Sequence, residues 1–349
     1  MTGSTKAAAG RVVTVSRPSQ EIATFLGMPA IVASVAMRAV MQFVERIAQS
    51  KSAVLISGES GTGKELVARA LHQFSPRSGR AWIDVNCAAL PDHLLESELF
   101  GYEKGAFSGA DMQKPGMFEL AHHGTLFLDE IAELNLKSQS KLLRVLDGCA
   151  HYRLGGVRKI EVDVRIVAAT NADLEREVAA GRFRADLFHR LNQVQVAVPA
   201  LRERTADIAP LARFFLAQNA PQKRLADETV AVLESYAWPG NVRELRNLMA
   251  RLAVTEDRAE IGREALPAQF DEQLRRDAAP SHSLDQLEQD VIIHALEQAD
   301  GRRNRAAEML GISQRTLIRR LKLYGVKPSR ALPGSNLAVM EPRSSRGVN

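Results

Sequence analysis

Cysteine is nearly missing from this chain: among 349 residues only Cys87 and Cys149 carry a thiol, and they form no C-x-x-C pair. That argues against a disulfide framework and fits a reducing cytoplasm. Histidine is scarce too, eight residues without an H-E-x-x-H pattern, so a zinc hydrolase is not indicated. Long apolar runs are absent. The opening MTGSTKAAAGRVVTVSRP lacks the apolar h-region of a signal peptide, and no uninterrupted apolar stretch is long enough to span a bilayer. The expectation is a cytoplasmic protein with no membrane partner. What remains, 45% hydrophobic and 25% charged residues, is ordinary for a soluble globular chain, and the length favours two or three domains.

Charge is unevenly placed. Between Gly301 and Arg330 nine Lys or Arg stand against one acid, Glu308, a net +8 against +5 for the whole chain, so the remainder is slightly acidic. A basic C-terminal module points to nucleic acid.

Along the chain, residues 1–24 read as a short arm and Met28 to Gln49 as a packing helix with apolar residues at helical spacing. Five β-type runs follow at 53–57, 81–85, 124–129, 164–170 and 194–198, separated by helical segments, which implies a parallel sheet covered on both faces. After Pro199 the strands stop, and three helical segments run to about Val254. The expected domains are an α/β unit at 25–199, a helical lid at 200–264, a linker at 265–282, an all-α module at 283–328 and a tail at 329–349 whose composition predicts disorder.

The stretch GESGTGKE, Gly58 to Glu65, follows an apolar strand and opens a helix, the context a phosphate-binding P-loop requires. Gly58, Glu59, Ser60, Gly61, Thr62, Gly63, Lys64 and Glu65 are thus candidate nucleotide contacts, with Glu65 where Ser or Thr would meet magnesium. GTLFLDE ends a strand on Asp129 and Glu130: the first acid suits a Mg2+-bound water and the second polarises the attacking water. Thr170 and Asn171 end another strand on the same edge. Arg184 and Arg190 in FRADLFHRL are candidate fingers acting on a neighbouring subunit's nucleotide.

These residues resemble one family closely, the bacterial enhancer-binding proteins, AAA+ activators of the sigma-54 RNA polymerase. The resemblance runs from about Phe25 to Val254 through GESGTGKE, GYEKGAFSGA, GTLFLDEI, RIVAATN, FRADLFHRLN, LRER and WPGNVRELRN. GAFSGA, Gly105, Ala106, Phe107, Ser108, Gly109 and Ala110, resembles the family's GAFTGA signature, with Ser108 keeping the hydroxyl and losing a methyl. The resemblance implies ATP and Mg2+ as cofactors, a ring that is usually a hexamer, and a loop that presses its aromatic residue onto the sigma factor. It also implies that Asn86 is a switch residue acting on Glu130, that Arg243 couples the lid to nucleotide, that GESGTGKE with Glu65 is the usual form, and that HYRLGGVRKIEV moves with the first loop.

NRAAEMLGISQRTLIRRLKLYG reads as helix, Gly turn, helix, with Leu310, Ile312, Leu317 and Leu321 at packing spacing. Ser313 caps the second helix, and Gln314, Arg315, Thr316, Arg319 and Lys322 suit base edges and phosphates. The segment resembles a Fis-type helix-turn-helix. Before it, SLDQLEQDVIIHALEQADG opens on a Ser283 to Gln286 capping box and closes on Gly301, with an apolar stripe suited to dimer pairing.

The resulting expectation is an AAA+ P-loop ATPase, α/β with a parallel sheet and helical lid, carrying a DNA-binding helix-turn-helix. It would hold upstream promoter DNA and remodel the sigma-54 holoenzyme. Two alternatives stay open: a nucleotide-sensing DNA-binding repressor, and an AAA+ DNA-remodelling motor. About two dozen residues precede Phe25, short of the ~50 a small folded domain needs. The expectation is therefore no sensory domain, with restraint from an inhibitor or co-activator acting in trans.

Overall fold

The computed structural model describes residues 23–270, 284–299 and 301–324. The linker beyond 270, Ser283 of the expected capping box and the tail lie outside the described residues, as do most of the N-terminal arm and the side chain of Gln286. Contacts divide the chain into two compact units, one holding the sheet and the helices after it, the other the last three helices.

The first unit opens on a hairpin, β1 (Ala23–Phe25) and β2 (Met28–Ala30). Leu26 and Gly27 both have positive φ, 47° and 79°, the pair a two-residue type I′ turn demands. The helix expected from Met28 therefore starts later: α1 is Val35–Ala48, capped by the Ser34 hydroxyl, which accepts from Met37 N–H at 3.1 Å. Periodicity overran the start because Met28, Ala30 and Ile31 are apolar in either conformation.

The sheet is parallel, in the order β4 (Trp82–Asn86), β5 (Thr125–Asp129), β6 (Arg165–Thr170), β3 (Val54–Ser57), β7 (Val194–Ala197). Successive strand residues alternate between two cores, as the period of two dictates. Leu55, Leu126, Leu128, Ile166 and Ala168 pack with α3 (Asp92–Phe100), α4 (Met117–Leu120), α5 (Leu136–Leu146), α6 (Leu174–Ala179) and α7 (Ala185–Leu191). Val54, Ile56, Phe127, Val167 and Ala169 pack with α1 and α2 (Lys64–Gln73). Both faces of the central strands are covered, so β3, β5 and β6 read as near-continuous apolar runs, while the edge strands β4 and β7 carry exposed Asp84 and Gln195.

After β7 come α8 (Ile208–Asn219), α9 (Asp227–Ser235) and α10 (Asn241–Thr255) around Trp238 and Met249, both fully buried. Strands do not stop at Pro199: β8 (Arg224–Leu225) and β9 (Glu260–Ile261) pair in parallel, each two residues and too short to leave a pattern. Phe270 also packs on Tyr236 and Trp238, so this core continues into the stretch expected to be linker.

In the second unit α11 (Leu284–Gln298), α12 (Arg303–Met309) and α13 (Gln314–Leu323) enclose Ile292, Leu296, Ala306, Leu317 and Leu321. Gly301 at φ 73° donates to Leu296 O, closing α11 as a glycine C-cap does. Among the described residues no helix is long and apolar enough to cross a membrane.

Candidate functional site

The register sets Asn86 beside Asp129 and Ser57 beside Thr170, so four strands deliver their last residues to one carboxyl edge. In open α/β sheets that edge is where ligands bind. The P-loop springs from it. Gly61 has φ 77°, and a Cβ there would stand 2.5 Å from the Gly240 carbonyl oxygen, so only glycine allows the loop to lie under α10. Gly63, at φ 98°, opens α2, whose free N–H groups face an anion site. The Lys64 ammonium is buried and donates to the carbonyls of Gly58 (2.9 Å) and Glu59 (3.3 Å), with Glu130 Oε1 at 3.8 Å. The buried Thr62 hydroxyl donates to Glu59 O, and Glu65 turns away to pair with Arg69.

At the end of β5 the Asp129 carboxylate accepts from Glu130 N–H at 3.1 Å. Burial raises its pKa, and the Glu130 carboxylate adds to the effect. Glu130 itself sits at φ 51°, and its Oε2 accepts from Asn171 N–H at 3.2 Å. Thr170 is buried, its hydroxyl accepting from Ala172 N–H. Asn86 does not hold Glu130 in this arrangement: its carbonyl accepts from Ala88 N–H at 2.9 Å, an Asx-type cap of its own strand end. Cys87, next in the chain, is buried, and its thiol is pushed up to about 12, first by burial and then by Asp129.

The lid clamps the P-loop through residues to which sequence reasoning assigned no role. Arg202, in LRER, forks onto the Glu59 carboxylate at 2.5 and 2.9 Å, and Asn241 Nδ2 adds a third bond at 3.0 Å. The Arg202 bonds first, then Asn241, hold Glu59 at about 2. Arg204 donates to Thr62 O, and Val242 N–H donates to Gly61 O. Arg243, expected near nucleotide, donates to Ser60 Oγ at 2.7 Å. Asn241 lies in the left-handed region at φ 49°, a conformation Asn tolerates; WPGN was the available signal.

Arg184 and Arg190 sit apart from the P-loop of their own chain. Arg184 pairs with Asp186 at 2.6 Å and reaches Ser140 Oγ; Arg190 donates to Leu146 O and pairs with Asp147 at 3.2 Å. Both are about two-fifths exposed.

The glycine-rich segment forms a short stem and tip. Tyr102 exchanges backbone hydrogen bonds with Lys114, and Gly105 N–H donates to Ala110 O. At the tip Phe107 remains 44% exposed, its ring edge-on to Tyr102 at 5.0 Å, with Ser108 exposed beside it. The HYRLGGVRKIEV segment lies alongside: Leu154 bonds the stem at Gly101 and Glu103, and a side chain at Gly155 would meet the Ala106 methyl at 2.9 Å. Arg153, unnoticed in sequence, joins Glu103 (3.0 Å) to Glu119 (2.6 Å).

In the second unit Ser313 caps α13, its hydroxyl accepting from Thr316 N–H. Gln314, Arg315, Arg319 and Lys322 are exposed, while Arg320 is paired with Glu288 of α11.

A P-loop at a strand-to-helix turn, an acid pair ending an adjacent strand and a helical lid on the loop define an AAA+ P-loop ATPase. Comparison narrows the class. Family models match residues 30–197 as a Sigma-54 interaction domain, 202–283 as an AAA+ ATPase lid domain and 283–324 as Bacterial regulatory protein, Fis family. The regulatory protein AtoC of Escherichia coli K12 is 45% identical, over 85% of this chain and 68% of that relative. The Nif-specific regulatory protein of Azotobacter vinelandii is 46% identical over 83% of this chain, which spans only 58% of that relative's length. Among solved structures, NtrX from Brucella abortus in complex with ATP is 37% identical, with a TM-score of 0.65 over 86% of this chain and 70% of that one. The chain belongs to the sigma-54-dependent transcriptional activators and is an AAA+ ATPase with a Fis-type helix-turn-helix.

Proposed function

We propose that the protein binds DNA upstream of promoters and hydrolyses ATP in a ring, a hexamer by family resemblance, to remodel the sigma-54 RNA polymerase holoenzyme through Phe107 and Ser108. The observation that carries this reading is the exposed Phe107. An aromatic ring held out at a glycine-bounded tip suits a partner, not a core. Its stem continues into α3 and α4, which pack in the same core as β5, the strand that ends on Asp129 and Glu130.

In this reading Lys64 leaves its two loop carbonyls for the outer phosphates of ATP. The residues fit a magnesium ion arriving with the nucleotide: burial and the Glu130 carboxylate raise the pKa of Asp129, and the Lys64 charge and one N–H bond oppose them only in part. Bound there, the ion supplies charge neutralisation on the phosphates. Glu130 orients the attacking water, Thr170 and Asn171 sense the terminal phosphate, and Arg184 and Arg190 act across the ring interface. Asn86 takes up its switch role by donating from its side-chain Nδ2 to the Glu130 carboxylate, its Oδ1 being the atom that accepts from Ala88 N–H. A trans-acting inhibitor or co-activator would act on this same Asn86–Glu130 contact.

The test uses the full chain with sigma-54 holoenzyme and promoter DNA. Phe107→Ala should abolish the complex with sigma-54 formed on a transition-state mimic of ATP while turnover of ATP persists. Activation of a promoter without sigma-54, or an undiminished complex with Phe107→Ala, overturns the proposal.

A further inference from the structure

Gln139 is an amide with every hydrogen-bonding group committed, buried where an apolar residue would be expected. It lies on the inner face of α5, fully buried beside the apolar Leu142 and Val145. Its Oε1 accepts from the backbone N–H of Arg184 at 2.8 Å. Its Nε2 donates to Leu134 O at 2.7 Å and to Arg182 O at 3.0 Å. The amide orientation is fixed by its partners, since an N–H must face the oxygen and two carbonyls must face the nitrogen. A buried amide so fully committed holds its partners in one geometry, because losing it leaves three backbone groups without their partner, the Leu134 carbonyl in the buried interior and the other two part-buried.

The partners are what matter. Leu134 ends the 3-10 turn Ile131–Glu133 that starts at Glu130, so one Gln139 bond anchors the turn directly after the acid pair. Arg182 and Arg184 bracket the buried Phe183, and Arg184 is the N-cap residue of α7. The next residue of α5, Ser140, meets the Arg184 guanidinium at 3.3 Å. One side chain thus ties the segment following Glu130, which serves this subunit's nucleotide, to the backbone of Arg184, which serves the neighbour's.

We infer that Gln139 is the positioning residue for Arg184, holding the finger's backbone at the height from which its guanidinium leaves Asp186 and reaches the nucleotide of the adjacent subunit. The inference rests on the trans-acting reading of Arg184. It requires the effect of Gln139 to be felt mainly on the nucleotide of the next subunit, whereas a merely structural glutamine would affect both sites alike.

Mixed rings separate the two. A Glu130→Gln chain is silent at its own site but still donates Arg184; an Arg184→Ala chain retains its acid but lacks a finger. Mixed, they should recover ATP turnover at the sites where the second chain receives the first chain's arginine. Adding Gln139→Met to the donating chain should cut this recovered turnover tenfold or more, and adding it to the receiving chain should cut it several-fold less. Gln139→Glu, isosteric and polar, is the second variant and should show the same asymmetry, with ring assembly of every mixture confirmed by light scattering. Equal losses on either chain, or no loss, would overturn the assignment. Failure of the parent mixture to recover turnover would instead remove the trans-finger reading, and this inference with it.

Discussion

At the scale of single residues, the least comfortable group in the first unit is His151. It is 5% exposed, packs beside the stacked rings of Phe100 and Phe118 at 6.0 Å from each, and neither ring nitrogen has a hydrogen-bond partner. Burial holds its pKa below the ordinary 6.5; Glu119 pulls upward, and Arg153 and Lys141 push down again. A histidine depressed in the fold binds its proton more readily unfolded. Its contribution is therefore whole above the unfolded value and is lost as pH falls through the folded one. Buried His72 is shifted in the same direction, also chiefly by burial, and adds to the trend. Thermal melts should show the midpoint falling as pH drops from 8 to 5.5, and His151→Leu should shallow that slope. A slope unchanged in the variant would mean that His151 does not titrate on unfolding. The residue stands where HYRLGGVRKIEV leaves the core, so the lost stability belongs to the joint between that segment and the Phe107 stem.

At the scale of elements, the lid and the P-loop are latched by Glu59, Arg202 and Asn241. The Glu59–Arg202 pair is nearly half-exposed, so solvent screens it and its contribution is small, and Asn241 adds a further bond to the charged carboxylate. Glu59→Gln should lower stability slightly in denaturant titrations at pH 7. Because Glu59 is held at about 2 against an ordinary 4.5, its contribution is complete above 4.5 and is lost as pH falls toward 2. The gap between parent and variant should thus narrow between pH 5 and 3.5; a constant gap would assign the loss to packing. This latch also marks the limit of what was legible in sequence. The motifs of the sheet edge are contiguous in sequence: the P-loop after β3, Asp129 closing β5 with Glu130 next, Thr170 closing β6. Each is announced by an apolar run stopping at a polar residue. Glu59 and Arg202 are 143 residues apart, Glu59 and Asn241 182, and nothing local signals such a partnership. The three-residue strands β1 and β2 and the two-residue strands β8 and β9 were invisible because a period of two cannot be read from so few positions.

At the scale of the whole molecule, the charge asymmetry and the division into two units make the same argument. The net +8 of residues 301–330 falls in a small module whose core is its own, whereas residues 1–274 carry equal numbers of acids and bases and are neutral. Lysines and arginines scattered for solubility would not be sorted so; those on α13 are sorted further by contact. Arg320 is spent inside the module on Glu288, which also accepts from the Tyr324 hydroxyl at 3.0 Å, tying α13 to α11. Arg319, one position earlier, is exposed, on the outward side that it shares with Arg315 and Lys322. The two neighbours should therefore fail differently when replaced. If Arg319 neutralises one phosphate, Arg319→Ala should weaken DNA binding and flatten the slope of log affinity against log salt by about 0.9, the counterions released by one contact. Arg320→Ala should instead lower the thermal stability of the module, and what DNA affinity it loses should be regained on cooling with the salt slope intact. ATP turnover without DNA should be the same in parent and both variants, since the two cores are separate. Binding isotherms at four salt concentrations, with one melt per variant, decide it. Equal salt slopes for the parent and Arg319→Ala would take Arg319 out of the interface and leave Arg315 and Lys322 as the exposed cations of α13 to examine next.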